Sequence, residues 1–144
     1  MTKELGNLTE LLCITRLYSL GCGISVPFGD SEKYDFIADI NGNLYRLQCK
    51  HANPLYDENG NVEKIEINTT WQSGYTKNKP SVRHKYTEKD CDYFITYYEE
   101  KSYLIPVSEC STTKTLRITP TKNGQRKGIC FLNDYVDEEV IKTL

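Results

Sequence analysis

The sequence predicts an α/β domain built on a mixed β-sheet. Apolar residues recur at helical spacing near the N-terminus, short strand-like segments with turn signals follow, and two further paired strands come in the second half. A length of 144 residues suits one compact domain and is short for two. We therefore predict a single domain over residues 1–144.

The first half of the chain contains the clearest local patterns. A helix is predicted over residues 5–20, ended by the glycines that follow it, from the recurrence of Leu8, Leu11, Leu12, Ile14, Leu17 and Leu20. Strands are then predicted at residues 24–28, 34–40 and 44–51. Asn41-Gly42 is typical of a type I′ turn, so the second and third strands should form an antiparallel hairpin.

The rest of the chain is assigned from weaker patterns. We expect a polar loop at 53–61, an edge strand at 62–70, a mobile loop at 72–85 and a helical turn at 88–90. Later strands are predicted at 93–98, 102–107 and 115–119. Ser108 is expected to cap a short turn, and residues 138–144 to form a terminal helical turn.

Composition argues against membrane and secreted classes. No run of about 18 apolar residues occurs, and the N-terminus lacks the basic and apolar segments of a signal peptide. The six cysteines form no CxxC pair, so we expect free thiols in a reducing cytoplasm.

Basic residues are segregated although the formal net charge is −2. Two stretches, 77–89 and 111–128, are rich in lysine and arginine, whereas the acids concentrate elsewhere. Such stretches can follow a phosphate backbone, while the acids hold a cation. The alternative is a pair of solvated basic loops.

Polar side chains converge at the end of the predicted hairpin. Because side chains alternate along a strand, Gln48 and Lys50 share one face, and Asp35 lies on the neighbouring strand. The Asp35 carboxylate, the Gln48 amide and the Cys49 carbonyl are hard oxygen donors that suit Mg²⁺, with Mn²⁺ as a substitute. Lys50 would hold the attacking water, and Glu10 on the first helix would complete the site. This pattern indicates metal-assisted phosphodiester hydrolysis, although a lysine at such a position is more commonly a solvated strand residue.

Two stretches resemble a known nuclease family. Val-Pro-Phe-Gly-Asp-Ser-Glu-Lys-Tyr-Asp at 26–35 and Leu-Gln-Cys-Lys-His-Ala at 47–52 are similar to the PD-(D/E)XK endonucleases that group I introns encode. Weaker similarity extends over most of residues 5–135. The resemblance implies a restriction-endonuclease-like core, in which helices flank a central mixed sheet, and Mg²⁺-dependent DNA cleavage by a homo-oligomer.

The resemblance also implies roles for individual residues. Asp35 matches the family's catalytic aspartate, Lys50 the motif lysine, and Glu10 the acid on the first helix. Gln48 stands where the wider superfamily has Asp or Glu. The catalytic core is then expected at about residues 5–107, with a C-terminal extension at about 108–144.

The basic stretches supply the candidate DNA contacts. The 72–85 loop offers donors that suit base edges, unless it is only a connector. We predict DNA binding by Gln72, Ser73, Lys77, Asn78, Lys79, Arg83, Lys85, Lys114, Arg117, Lys122, Arg126 and Lys127.

The sequence as a whole predicts a Mg²⁺-dependent, homing-type DNA endonuclease that acts as a homodimer or homotetramer on double-stranded DNA. We expect it in the cytoplasm, associated with the nucleoid when bound to DNA. Two alternatives remain: a structure-selective nuclease resembling a Holliday-junction resolvase, and a non-catalytic DNA-binding protein that retains the fold.

Overall fold

Two helices and ten strands make up the part of the chain that the computed structural model describes, residues 2–74 and 77–144. The helices are α1 (Lys3–Ser19) and α2 (Asp137–Thr143). The strands are β1 (Gly23–Ser25), β2 (Phe36–Ile40), β3 (Asn43–Cys49), β4 (Asn53–Tyr56), β5 (Val62–Asn68), β6 (Thr70–Gln72), β7 (Arg83–Lys85), β8 (Tyr93–Tyr98), β9 (Lys101–Pro106) and β10 (Thr113–Arg117).

The main sheet is mixed, as predicted. Its order is β1-β2-β3-β8-β9, in which β3 and β8 are parallel and the other pairs are antiparallel. The predicted hairpin is confirmed, because Asn41 and Gly42 have φ angles of 54° and 87° between paired residues Ile40 and Asn43. The parallel pairing brings the second half of the chain against the end of β3.

The structure differs from three of the predictions: it has a small three-stranded sheet and a two-stranded ribbon where two loops and an edge strand were expected. β5, expected at an edge, is central in the order β10-β5-β4, and the expected 53–61 loop contains β4. The expected 72–85 loop includes β7, which pairs antiparallel with β6. This β6–β7 pair is called the ribbon below. Tyr75 and Thr76 lie outside the described residues.

The main sheet separates two apolar cores. On one face α1 and α2 cover a cluster that includes Leu17, Phe36 and Leu47. On the other face the small sheet covers a cluster that includes Ile65, Phe94 and Leu116. The helices, the main sheet and the small sheet thus form three layers, which matches the expected helix-flanked mixed sheet on one face.

The apolar pattern of α1 is divided between two faces. The buried residues are Thr9, Cys13 and Leu17, whereas Leu8 and Leu11 are exposed. The periodic leucines correctly predicted a helix, and they are divided between its buried and exposed faces.

The C-terminal part is integrated into the layers. β10 pairs with β5, and buried Asp137 accepts hydrogen bonds from Arg16 of α1 and Ser102 of β9. Ser108 lies inside the short 3-10 helix Val107–Glu109 and does not cap it. No helix in the described residues is long and apolar enough to span a membrane.

Candidate active site

Asp35 immediately precedes β2 and lies beside the C-terminal end of β3. Its N–H donates to the Leu47 carbonyl at 2.8 Å, and its Oδ2 accepts from the Cys49 N–H at 2.8 Å. Burial raises the pKa of the carboxyl, while the Cys49 N–H and the Lys50 cation oppose that rise. One of these bonds fixes the Asp35 backbone and the other orients its carboxylate, whose negative charge is only partly compensated.

Glu10 approaches Asp35 from α1. Burial, and the negative charge of Asp35, raise the pKa of the Glu10 carboxyl. Two carboxylates that repel each other at a half-buried position are stabilised by a cation between them. The pair that the sequence proposed is thus brought together by the packing of α1 on the main sheet.

A cleft of about 250 Å³ opens beside these two carboxylates. Its walls come from α1 and from the segment between β1 and β2, and they include Glu10, Asp30, Glu32, Tyr34 and Asp35. Four of these side chains are acidic. The cleft consequently has a negative field that favours cations.

Gln48 precedes Cys49, the residue whose N–H binds the Asp35 carboxylate. The Gln48 Nε2 is 3.5 Å from the Cys49 carbonyl oxygen, a long contact. Turning the amide by half a revolution would put Oε1 in that place, beside a second oxygen donor.

Lys50 completes the group from the residue after β3. Its Nζ donates to the Thr70 carbonyl at 3.1 Å and lies 4.8 Å from the centre of the Tyr86 ring. Burial lowers the pKa of the ammonium group, and the Asp35 carboxylate opposes this. A second cavity of about 250 Å³ lies beside it, lined by Lys50, His51, Asn53 and Asn68.

The donor set fits a hard divalent cation only if neutral oxygens take part. No group of three or more His, Cys, Asp or Glu side chains within residues 2–74 and 77–144 is arranged to hold a metal. Glu10 and Asp35 supply two carboxylates, so further ligands must be neutral oxygens and water. The Gln48 amide and the Cys49 carbonyl are such oxygens, and Mg²⁺ accepts this combination.

Comparison with known proteins identifies the family. A model of the PD-(D/E)XK endonuclease family matches residues 1–138. The chain belongs to this family. No curated protein matches the sequence significantly.

A solved structure shares the fold of this PD-(D/E)XK endonuclease. The bacterial homing endonuclease I-Ssp6803I is similar to it with a TM-score of 0.74 and 22% sequence identity. The match covers 99% of this chain and 94% of the other. At this identity the likeness establishes the restriction-endonuclease-like fold.

The site of this PD-(D/E)XK endonuclease includes contacts that the sequence did not reveal. The Thr70 carbonyl and the Tyr86 ring position Lys50. Thr70 contributes through its backbone, and Tyr86 lies far along the chain, so neither has a local motif. A long-range pairing signal would have been needed to find them.

The ribbon is fixed next to the same lysine. Trp71 on β6 stacks on His84 of β7 with ring centres 4.3 Å apart, and Lys33 Nζ lies 4.2 Å from the Trp71 ring. Lys33 belongs to the segment that also lines the acidic cleft. The ribbon is therefore attached to both Lys50 and the cleft wall.

The predicted DNA-binding residues fall into two groups. The ribbon and its surroundings expose Gln72, Lys77, Asn78, Lys79, Arg83 and Lys85, while half-buried Ser73 accepts from the Val82 N–H. The second group lies on β10 and the following loop, and includes Lys114, Arg117, Lys122, Arg126 and Lys127. Only the first group adjoins Lys50 through Thr70.

Several residues of the second group are engaged within the protein. Arg117 pairs with Glu63 at 2.7 Å and is only 18% exposed, so its guanidinium stabilises the small sheet. Lys114 donates to the Glu109 carbonyl, and Arg126 lies over the Phe131 ring. Lys122 remains highly exposed, 3.5 Å from Glu58.

Proposed function

We propose that this chain is a Mg²⁺-dependent, homing-type DNA endonuclease that acts as a homo-oligomer in the cytoplasm and associates with the nucleoid when bound to DNA. The observation that carries the proposal is the convergence of Glu10, Asp35, the Cys49 carbonyl and Lys50 beside an exposed basic ribbon. Membership of an endonuclease family and the likeness to a homing endonuclease support it.

Four groups are assigned to hold Mg²⁺, with Mn²⁺ as a substitute. They are the Glu10 and Asp35 carboxylates, the Gln48 amide oxygen and the Cys49 carbonyl. When bound, such an ion supplies positive charge that stabilises the phosphate as negative charge develops in the transition state. The Asp35 N–H and Cys49 N–H bonds keep the carboxylate oriented without the ion.

Lys50 is assigned to the attacking water and to the transition state. The Thr70 carbonyl and the Tyr86 ring restrain its ammonium group, so the charge is preorganised. Burial lowers its pKa, which makes the exchange of a proton with water less costly than for an exposed lysine.

DNA is assigned to the ribbon side. Gln72, Arg83 and Lys85 are exposed on paired strands, where side chains can enter a groove or contact phosphates. One chain carries one such site. Cleavage of both strands therefore needs two chains, arranged around a two-fold axis.

The test is Mg²⁺-dependent cleavage of a pooled plasmid library and host genomic DNA, with the cut ends read by sequencing. Wild type and Lys142→Ala, an exposed lysine on α2, should cleave equally. Lys50→Ala should be at least about 100-fold slower, as expected when one preorganised transition-state charge is lost.

Cleavage that survives Lys50→Ala would contradict the assignment of the site. Binding without cleavage in any metal would favour a non-catalytic DNA-binding protein. Preference for a four-way junction over linear duplex would indicate the structure-selective alternative.

A further inference from the structure

Trp71 lies on the inner face of the ribbon. Side chains alternate along a strand, and Trp71 and His84 are directly opposite each other in the ribbon, so they share one face. Both residues are half-buried, whereas Gln72, Arg83 and Lys85 on the other face are exposed. The indole is therefore directed toward the body of the protein, away from the face assigned to DNA.

Two side chains cover the indole of Trp71. The His84 ring stacks on it with ring centres 4.3 Å apart and planes inclined by 23°, and the Lys33 Nζ lies 4.2 Å from the ring centre. The indole N–H is buried and has no hydrogen-bond partner within the described residues. A ring enclosed in this way is not free to stack on a nucleobase. These three residues are called the Trp71 stack.

The Trp71 stack joins two segments that carry different parts of the candidate site. Lys33 lies two residues before Asp35, in the segment whose side chains form a wall of the acidic cleft. Trp71 directly follows Thr70, whose carbonyl accepts from the Lys50 Nζ at 3.1 Å. The contact between the ammonium group and the indole thus connects the carboxylate side of the site with the lysine side.

The position of Lys50 depends on this connection. A lysine ammonium group sits on a flexible four-carbon stem, so an external acceptor must hold it in place. That acceptor belongs to Thr70, whose N–H and hydroxyl donate to the Asn68 side chain at 2.9 and 2.7 Å. These bonds fix the local turn but do not set the distance between the ribbon and the cleft wall. We propose that Trp71 is a positioning residue that holds the Thr70 carbonyl, and with it the Lys50 ammonium group, at a fixed distance from the cleft.

The consequence for cleavage rests on the proposed function, in which Lys50 acts on the attacking water. A charge already placed where negative charge develops stabilises the transition state without rearrangement, and a displacement of about 1 Å can slow a reaction roughly 100-fold. The side chains on the outer face of the ribbon do not involve the indole. Loss of the Trp71 ring should therefore lower the rate of cleavage more than the affinity for DNA.

Amide hydrogen exchange of the full chain tests the Trp71 stack without reference to activity. In Trp71→Ala, the amides of residues 70–73 and 82–85 should exchange at least about tenfold faster than in wild type, because the ribbon opens locally. The amides of the buried strand β8 should keep their rates. Unchanged exchange of the ribbon, or an equal rise in β8, would overturn the proposal.

Three further variants show which part of the stack matters. Trp71→Phe retains a ring, so its ribbon should exchange within about threefold of wild type. Lys33→Met keeps an apolar stem but loses the charge over the indole, so exchange should rise about two- to fivefold. Lys142→Met, at an exposed lysine on α2, should match wild type. A ribbon that opens equally in Trp71→Phe and Trp71→Ala would contradict a role of the ring.

Single-turnover cleavage then tests positioning, with DNA affinity measured separately by filter binding without Mg²⁺. At saturating protein, Trp71→Ala should cleave at least about tenfold more slowly than wild type, while its affinity for the duplex changes less than about threefold. Trp71→Phe should restore the rate to within about threefold of wild type. Tyr56→Ala, at an exposed aromatic residue on β4, should cleave like wild type.

Each result of the cleavage experiment leads to a different conclusion. Normal cleavage by Trp71→Ala would show that Asn68 and Tyr86 suffice to position Lys50, and would overturn the proposal. A loss of rate matched by an equal loss of affinity would make Trp71 a DNA-binding residue and would overturn it as well. A wild type that cleaves no DNA, with hydrogen exchange as expected, would refute the proposed function and leave the Trp71 stack as the connection between the ribbon and the cleft wall.

Discussion

At the scale of single residues, the candidate site contains two carboxyl groups whose ionised forms are disfavoured by burial. Glu10 and Asp35 both have raised pKa values, mainly because of burial, and the charge of Asp35 raises that of Glu10 further. The proposed Mg²⁺ would offset the negative charge of this pair. The same arrangement makes the metal-free protein less stable than it could be.

Glu10→Gln should stabilise the metal-free protein at neutral pH. A carboxyl whose folded pKa is raised loses stability as the pH rises from the unfolded pKa through the folded one, so removing its charge helps only above that range. We expect a gain of up to about 1 kcal/mol, limited by partial solvation. Urea unfolding should show the gain at pH 7 but not at pH 3.5.

The matched control for this change is Glu88→Gln in an exposed turn, which should have no effect at either pH. Mg²⁺ should raise the melting temperature of wild type more than that of Glu10→Gln. A variant that is less stable than wild type at pH 7 would show that the Glu10 charge is not penalised.

Gln48→Glu should bind Mg²⁺ more tightly in the absence of DNA. An amide in place of a carboxylate removes one negative charge from the site, so metal occupancy in wild type should depend more on the DNA phosphate. Titration calorimetry should show an affinity gain of about tenfold, equivalent to ~1.4 kcal/mol. Gln72→Glu, on the exposed ribbon, should bind like wild type, and no gain in Gln48→Glu would exclude Gln48 as a ligand.

The sequence grouped three residues of the candidate site, but it did not reveal the contacts that position one of them. Asp35, Gln48 and Lys50 lie next to a tight hairpin, so alternation and turn chemistry were enough to group them. Lys50 is nevertheless held by Thr70 and Tyr86, which reach it through strand pairing far along the chain. Such contacts depend on the tertiary fold and have no local pattern.

At the scale of elements, α1 and α2 are joined by a buried ion pair. Asp137 is fully buried, accepts from Arg16 at 2.7 Å and from the Ser102 N–H and hydroxyl, and has a lowered pKa despite its burial because these donors outweigh desolvation. Arg16 also pairs with exposed Glu138 at 2.8 Å. One cation thus serves two acids in different environments.

Asp137→Ala should cost about 3–5 kcal/mol, because it leaves Arg16 and Ser102 without their acceptor. Glu138→Ala, which removes the exposed partner of the same arginine, should cost less than about 1 kcal/mol. Urea unfolding of both variants at pH 7 provides the measurement. Since the folded pKa of Asp137 is lowered, its contribution is present above the unfolded pKa and should disappear as the pH falls below about 4. Equal costs for the two variants would contradict the assigned roles.

Short elements were the ones that the sequence missed. β4 contains Pro54, which favours a loop over a strand in a sequence-based prediction. The proline is tolerated because β4 lies at the edge of the small sheet. β6 and β7 are three residues long each, too short to show alternation. The central position of β5 depends on its pairing with β10, almost fifty residues later, which no local pattern reveals.

At the scale of the whole molecule, the two groups of basic residues differ in how they are placed relative to Lys50. The ribbon group lies beside Lys50. In the β10–β5 strand register, by contrast, Arg117 lies opposite Lys64, four positions from the Asn68 end of β5. Four residues of strand correspond to about 14 Å. The ribbon should therefore contribute more to the cleavage complex than the β10 group does.

Arg83→Ala combined with Lys85→Ala should weaken DNA binding and reduce the salt dependence of the affinity by nearly two units of slope, if each residue neutralises one phosphate. Filter binding over a series of salt concentrations measures this slope. Lys122→Ala combined with Arg126→Ala should change the slope less. The reverse order would place the duplex on the small-sheet side.

The three-layer order followed from the sequence only in outline. The hairpin and the two later strands indicated a mixed sheet, and the helical leucines indicated a covering helix. Which face each layer occupies is decided by long-range pairing of β3 with β8 and of β5 with β10.

Trp71 gives the molecule a built-in optical reporter. It is the single tryptophan of the chain, its indole N–H is buried without a hydrogen-bond partner in the described residues, and it stacks on His84 at the base of the ribbon. Any displacement of the ribbon by a bound duplex must change the surroundings of that one indole. Its ultraviolet emission would therefore follow engagement of nucleic acid in real time, with no label attached and no second chromophore of its kind to subtract.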